Sequence, residues 1–226
     1  MNRFFRIVSL GAALCVGAAL LVGCRDEKDI SEKLELISEG CSKAISDESG
    51  EILVYKTVRF QNDVEGVLDS SIEETYVRFA NNAGAPDFEL TRDTTMSVSG
   101  DVSSYQFLKE GETMIELFNG SGGYATEAPD IFEEFYVDFE AADIESVKVT
   151  VKEKGFKEYR LMMTSSYANS FDTESDGLTK DCTSVIYCYY IDNYTNLSNI
   201  LREFVYTVTY DGEAQRLVEF IDAKID

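Results

Sequence analysis

The chain has 226 residues with 42 acidic and 20 basic side chains, no histidine and no tryptophan, for a net charge of −22. Such a surface repels nucleic acid and anionic lipid head groups, and the missing histidine removes the commonest general base, the Ser-His and Cys-His nucleophiles and most catalytic zinc sites, so neither nucleic-acid binding nor catalysis is expected. Plentiful aromatics (13 Tyr, 14 Phe) with only 2 Pro describe a globular chain, long enough for one sizeable domain.

Met1 to Arg6 carries two arginines and no acid, and Ile7 to Val22 is apolar or small apart from Ser9. A basic start followed by a short apolar run describes a secretory signal peptide. The run is about 16 residues, short of the roughly 20 a spanning helix needs; an uncleaved membrane anchor is the alternative. Leu21-Val22-Gly23-Cys24 resembles the bacterial lipobox. The resemblance implies cleavage before Cys24, a signal peptide of residues 1–23, and a diacylglycerol on the Cys24 thiol. It therefore implies the membrane as a partner and a cell-envelope location facing outside the cytoplasm. Two or more acyl chains anchor stably where one does not. Residues 24–29 form a short tether, so the mature domain, 30–226, is held against the bilayer. Removing the signal takes two arginines and no acid, moving the net charge to −24.

Asp29 to Ser46 has the period of an amphipathic helix, with Ile30, Leu34, Ile37, Cys41 and Ile45 on one face and Asp29 with Glu32 as a capping box. From Glu51 the period becomes two. Strands are predicted over Ile52–Phe60, Thr75–Ala80, Phe88–Val98, Val102–Leu108 and Thr113–Asn119, with a turn at Asn119–Gly123. Pro129-Asp130 then opens a second predicted helix, carrying Ile131, Phe132, Phe135, Phe139 and Ala142 at spacings of three and four, with Asp130 and Glu133 as its capping box.

Strands resume at Val147–Lys152 and Phe156–Ser165, joined by a turn at Glu153-Lys154-Gly155. An acidic loop is predicted over Ser170–Asp181. Thr183–Ile191 is apolar on both faces, as a central strand covered on both sides would be. Phe204, Tyr206, Val208 and Tyr210 share a face, Asp211-Gly212 is a two-residue hairpin turn, and Gln215–Ala223 closes the chain. Of the mature cysteines, Cys182 and Cys188 are six apart along one strand, roughly 20 Å, too far to bridge. No disulfide is expected, the alternative being Cys41 with one of them.

This order of elements resembles the LolA/LppX type of lipoprotein carrier. The resemblance implies a mainly β (α+β) fold, a curved antiparallel sheet or half-barrel with two helices packed on its concave face. It also implies a hydrophobic ligand, a lipid or acyl chain, held between sheet and helices. Leu34, Ile37, Phe132, Phe135 and Phe139 are the candidate walls, and the plainer reading of each is ordinary core. The competing reading is a non-catalytic structural or protein-interaction module of the envelope. No cofactor is expected. Asp172, Glu174 and Asp176 echo the start of a calcium loop, but the twelfth position is Thr183 where the loop needs Glu, so an acidic surface loop is the expectation. The paired carboxylates, such as Glu73-Glu74 and Glu133-Glu134, are given no role, since so acidic a chain makes such pairs by chance.

Overall fold

Alternating apolar and polar residues pair into an open, curved antiparallel sheet whose strands follow one another almost in chain order. The computed structural model describes residues 27–47, 49–60, 70–82, 85–97, 99–152, 155–175, 178–210 and 212–226. Helix α1 (Glu27–Ile45) precedes β1 (Ser49–Phe60), β2 (Ser71–Asn82), β3 (Ala85–Met96), β4 (Val102–Glu110), β5 (Thr113–Phe118) and β6 (Ser121–Tyr124). After an irregular stretch come β7 (Ile144–Val151), β8 (Lys157–Met163), the one-turn helix α2 (Ser165–Ala168), β9 (Thr173–Ser175), β10 (Leu178–Ile191), β11 (Leu197–Tyr210) and β12 (Glu213–Ile225). The spatial order is β6-β5-β4-β3-β2-β1-β12-β11-β10-β8-β7, with β9 paired on β10. The mainly β antiparallel architecture agrees with expectation.

Register places one phase of every long strand on the same face. Across the sheet, Val54 lies opposite Thr75 and Ala223, Ala223 opposite Ile200, Ile200 opposite Tyr189, and Tyr189 opposite Tyr159. This inner face holds the core: Ile52, Val77, Leu90, Phe107, Val185, Tyr189 and Ile191 are at most 2 % exposed. The turn between β5 and β6 is Asn119-Gly120, with φ of 49° and 78°, the pair of positive angles that a type I′ hairpin demands. At Gly122 an added Cβ would lie 1.9 Å from the Glu116 carbonyl oxygen, so only glycine fits there.

Helix α1 crosses the end of this face. It starts at Glu27, two residues before the predicted cap. Asp29 therefore lies within the first turn and accepts from Lys33 Nζ at 3.0 Å, an i,i+4 pair. Among the described residues no helix is long and apolar enough to cross a membrane.

The second predicted helix does not form. Residues 125–143 run as an extended strap across the inner face, broken by single 3₁₀ turns at Glu133–Phe135 and Ala141–Asp143. The reason is reach. Phe132 packs edge-on against Phe79 of β2 at 5.1 Å, and Phe139 lies on Tyr187 of β10 at 5.0 Å. Those strands are four places apart, about 19 Å at ~4.8 Å per strand. Seven helical residues rise only about 10 Å, whereas seven extended ones span about 23 Å. Local chemistry agrees with this, because residues 110–147 contain no lysine or arginine to offset the carboxylates of a helix. Asp130 caps an Asx turn, accepting from Phe132 N at 2.9 Å and Tyr136 Oη at 3.2 Å.

The expected acidic loop is also shorter than predicted, since Thr173–Ser175 pairs with Leu178–Lys180. Asp211 and Asp176 lie outside the described residues, as does Cys24. Cys41, Cys182 and Cys188 are free thiols. Register sets Cys182, opposite Tyr206, on the inner face and Cys188, opposite Leu201, on the outer one.

Candidate ligand cavity under the strap

Among the described residues, two cavities lie between the strap and the strands beneath it. The larger, about 540 Å³, is lined by Ile45 and Ser46 at the end of α1, Asn81 of β2, Pro86 and Phe88 of β3, Lys109 of β4, and strap residues from Ala128 to Phe132 with Tyr136. The smaller, about 230 Å³, is lined by Ile52, Val54 and Lys56 of β1, Glu73, Thr75 and Val77 of β2, Leu90 and Arg92 of β3, and Asp130, Ile131, Glu133 and Glu134 of the strap. Asp130 and Ile131 border both, so this pair of residues is the partition between them.

The chemistry differs from one side to the other. Ile45, Phe88, Pro129, Ile131 and Phe132 give the larger cavity an apolar wall, while Lys109 is drawn to its rim by the Pro86 carbonyl at 2.6 Å. The smaller cavity is amphiphilic. Its apolar end is Ile52, Val77, Leu90 and Ile131. At the other end Arg92 donates from Nε to Thr75 Oγ1 at 3.0 Å and pairs with Glu73 at 3.5 Å, and Lys56 pairs with Glu219 at 2.8 Å.

At the border of the smaller cavity, and among the described residues, the strap is pinned to the sheet by one ionic contact. Arg202 of β11 gives Nη1 to Glu134 Oε2 at 2.7 Å and Nη2 to the Glu134 carbonyl at 2.5 Å, and its guanidinium lies 5.4 Å from the Tyr187 ring. Burial pushes the Glu134 carboxyl above its usual range, against the pull of Arg202. Burial opposes the Arg202 charge too, but Glu134 and the facing tyrosines outweigh it and hold the guanidinium more firmly protonated than usual. Burial also drives the Cys41 thiol up to about 12, so under α1 it is an inert apolar group.

Of the five candidate walls, Phe132 lines the larger cavity. Ile37 and Phe135 are fully buried, and Phe139 packs between Tyr187 and Tyr167. Leu34 is half-buried against the core. The neighbours that complete the cavities, Asn81, Lys109, Arg92 and Lys56, were not among the sequence candidates, nor was Arg202. A usable signal was present: Lys56 shares strand phase with Ile52 and Val54, and Arg202 with Ile200 and Phe204. A charge in the apolar phase of an alternating strand marks a paired or ligand-facing site. In the echoed calcium loop, Asp172 Oδ1 accepts from Cys182 N at 2.6 Å, and Glu174 sits in β9. Among the described residues no cluster of three or more metal-binding side chains occurs.

No protein-family model and no curated protein matches this chain. Among solved structures it is similar to the crystal structure of LprF from Mycobacterium bovis, at 9 % identity over 86 % of this chain and 91 % of that one, with a TM-score of 0.44. A second likeness, to an N-terminal dehydratase from the difficidin assembly line, has 10 % identity over 84 % of each chain and a TM-score of 0.12. Both scores are too low to carry a functional inference, which rests instead on the cavities and the sequence.

Proposed function

We propose that this chain is a membrane-anchored, extracytoplasmic lipoprotein that binds or carries a hydrophobic ligand, a lipid or acyl chain, without catalysing a reaction. The observation that carries the reading is the cavity of about 540 Å³ under the strap, within the roughly 300–1,000 Å³ range of small-molecule sites. Support comes from the lipobox resemblance at Leu21–Cys24, which sets the domain against a bilayer, and from the absence of histidine. The likeness of element order to LolA/LppX carriers points the same way. The ligand's chain would lie against Phe88, Ile131 and Phe132.

Native mass spectrometry of the full-length, membrane-extracted protein tests this. A bound mass of lipid size is expected on the wild type and is lost when Ala128→Phe fills the cavity. A wild type free of adducts, which also fails to take up a fluorescent fatty acid, would overturn it. The interaction-module alternative keeps one supporting feature. Leu53, Tyr55 and Tyr76, each 36–38 % exposed, are apolar side chains on the outer face of β1 and β2. A protein partner captured equally well by wild type and Ala128→Phe would favour that alternative.

A further inference from the structure

We infer that the β7–β8 hairpin at the sheet edge is the surface this protein lays on an anionic bilayer. The inference rests on the reading of Cys24 as a lipid anchor and adds to it an orientation.

The course of α1 sets where the tether leaves the domain. At its C-terminal end, Ile45 O accepts from Asn81 of β2 at 3.4 Å, and Lys43 Nζ reaches the Tyr194 carbonyl in the β10–β11 turn at 3.2 Å. One turn earlier, Gly40 lies against Ile191 of β10. Two turns earlier again, Lys33 is within electrostatic reach of Tyr159 on β8. Followed towards its start, the helix therefore steps from β2 to β10 to β8 and leaves the sheet over β7, on which it also packs. Only two residues separate Cys24 from Glu27, three steps along the chain with a reach of at most about 11 Å. A lipid on Cys24 brings the β7 edge to the membrane and leaves β6, the opposite edge of the sheet, far from it.

The composition of that edge suits the location. Residues 144–163 hold five basic and three acidic side chains, in a chain where acids outnumber bases 42 to 20. Lys148 and Arg160 are register partners, and Lys157 lies opposite Val151. Among the described residues Lys152 pairs with Glu158, while Lys148, Lys157 and Arg160 enter no ion pair. Val149, 40 % exposed, and Val151, 74 % exposed, share the inner phase with Lys157, while Lys148 and Arg160 project from the outer phase, so the edge carries apolar groups on one side and cations on both. Lysines also keep edge strands from pairing with other chains. That need does not explain the sign here, because β6 (Ser-Gly-Gly-Tyr) carries no charge at all. Attraction to anionic head groups acts within about 8 Å at physiological salt, the range the short tether imposes.

The chain lacks tryptophan, so a single introduced one reports its own surroundings. Val151→Trp on β7 and Tyr124→Trp on β6, each in the full lipidated protein, are reconstituted into phosphatidylglycerol–phosphatidylcholine vesicles with brominated acyl chains. Quenching at least twofold stronger for Val151→Trp is expected, and the difference should halve in pure phosphatidylcholine or on Lys148→Glu/Arg160→Glu. Equal quenching at both positions, or a difference indifferent to lipid charge, would overturn the orientation. Failure of both variants to float with vesicles would overturn the anchor itself, and the orientation with it.

Discussion

Arg202 occupies a strand position whose neighbours in phase, Ile200 and Phe204, are core residues, and its guanidinium is balanced by Glu134. Both side chains are under 20 % exposed, so breaking the pair from one side strands a buried charge. Arg202→Met should cost about 3 kcal/mol in urea unfolding, the penalty typical of half a buried pair. Arg202→Met combined with Glu134→Gln should recover most of that loss. Tyr189 presents the opposite case. It is fully buried and its hydroxyl has no hydrogen-bond partner among the described residues. A buried unpaired hydroxyl destabilises by about 1–3 kcal/mol, so Tyr189→Phe should be neutral or stabilising by about 1 kcal/mol, measured the same way. Glu158 gives the pH dependence its direction. Lys152 and the Tyr190 hydroxyl hold its carboxyl below the usual range, against a smaller burial effect. A depressed folded value contributes stability that is present above the unfolded value of about 4.5 and is lost as pH falls through the folded one. Glu158→Gln should therefore flatten the acid limb of stability below pH ~4.5 and leave the slope between pH 6 and 8 unchanged.

At the scale of elements, the strap separates what local pattern can and cannot reveal. Spacings of three and four among Ile131, Phe132, Phe135 and Phe139 are what a helix shows, yet the segment is extended because its phenylalanines must reach strands four places apart. That separation depends on sheet order, which no window of a dozen residues contains. The first helix was legible because Ile30, Ile37 and Cys41 do face the core, and most strands because their alternation meets a single buried face. Of the site, Phe132 was legible as a large apolar residue. Arg92 and Lys109 were not, since their role comes from register with neighbouring strands. The strap's conformation can be checked directly. Tyr136 has ψ of 142°, as a residue preceding proline prefers, and Val137 N makes no backbone hydrogen bond among the described residues. Val137→Pro should change stability by less than about 1.5 kcal/mol, whereas a helix interior would lose about 3 kcal/mol or more. A loss of the larger size in thermal unfolding would restore the helix.

For the whole molecule, the balance of charge decides how it responds to salt. Two effects compete. Screening weakens the ion pairs Lys56–Glu219, Arg92–Glu73 and Arg202–Glu134, which favour the fold. It also weakens repulsion among 42 acids facing only 20 bases. The pairs are partly buried and lose little to salt, while repulsion between exposed charges is long-ranged and is cut as the Debye length falls from about 30 Å at 0.01 M to about 8 Å at 0.15 M. The repulsive part therefore changes more. Raising NaCl over that range should increase the melting temperature, by about 2–4 °C for each kcal/mol of repulsion removed. The same screening weakens the proposed attraction of the β7–β8 hairpin to anionic lipid. Salt should thus stabilise the fold in calorimetry while loosening that edge from the vesicle in the quenching assay. A melting temperature that falls with salt would mean the inner-face ion pairs, and not the acidic surface, dominate the electrostatics of the fold.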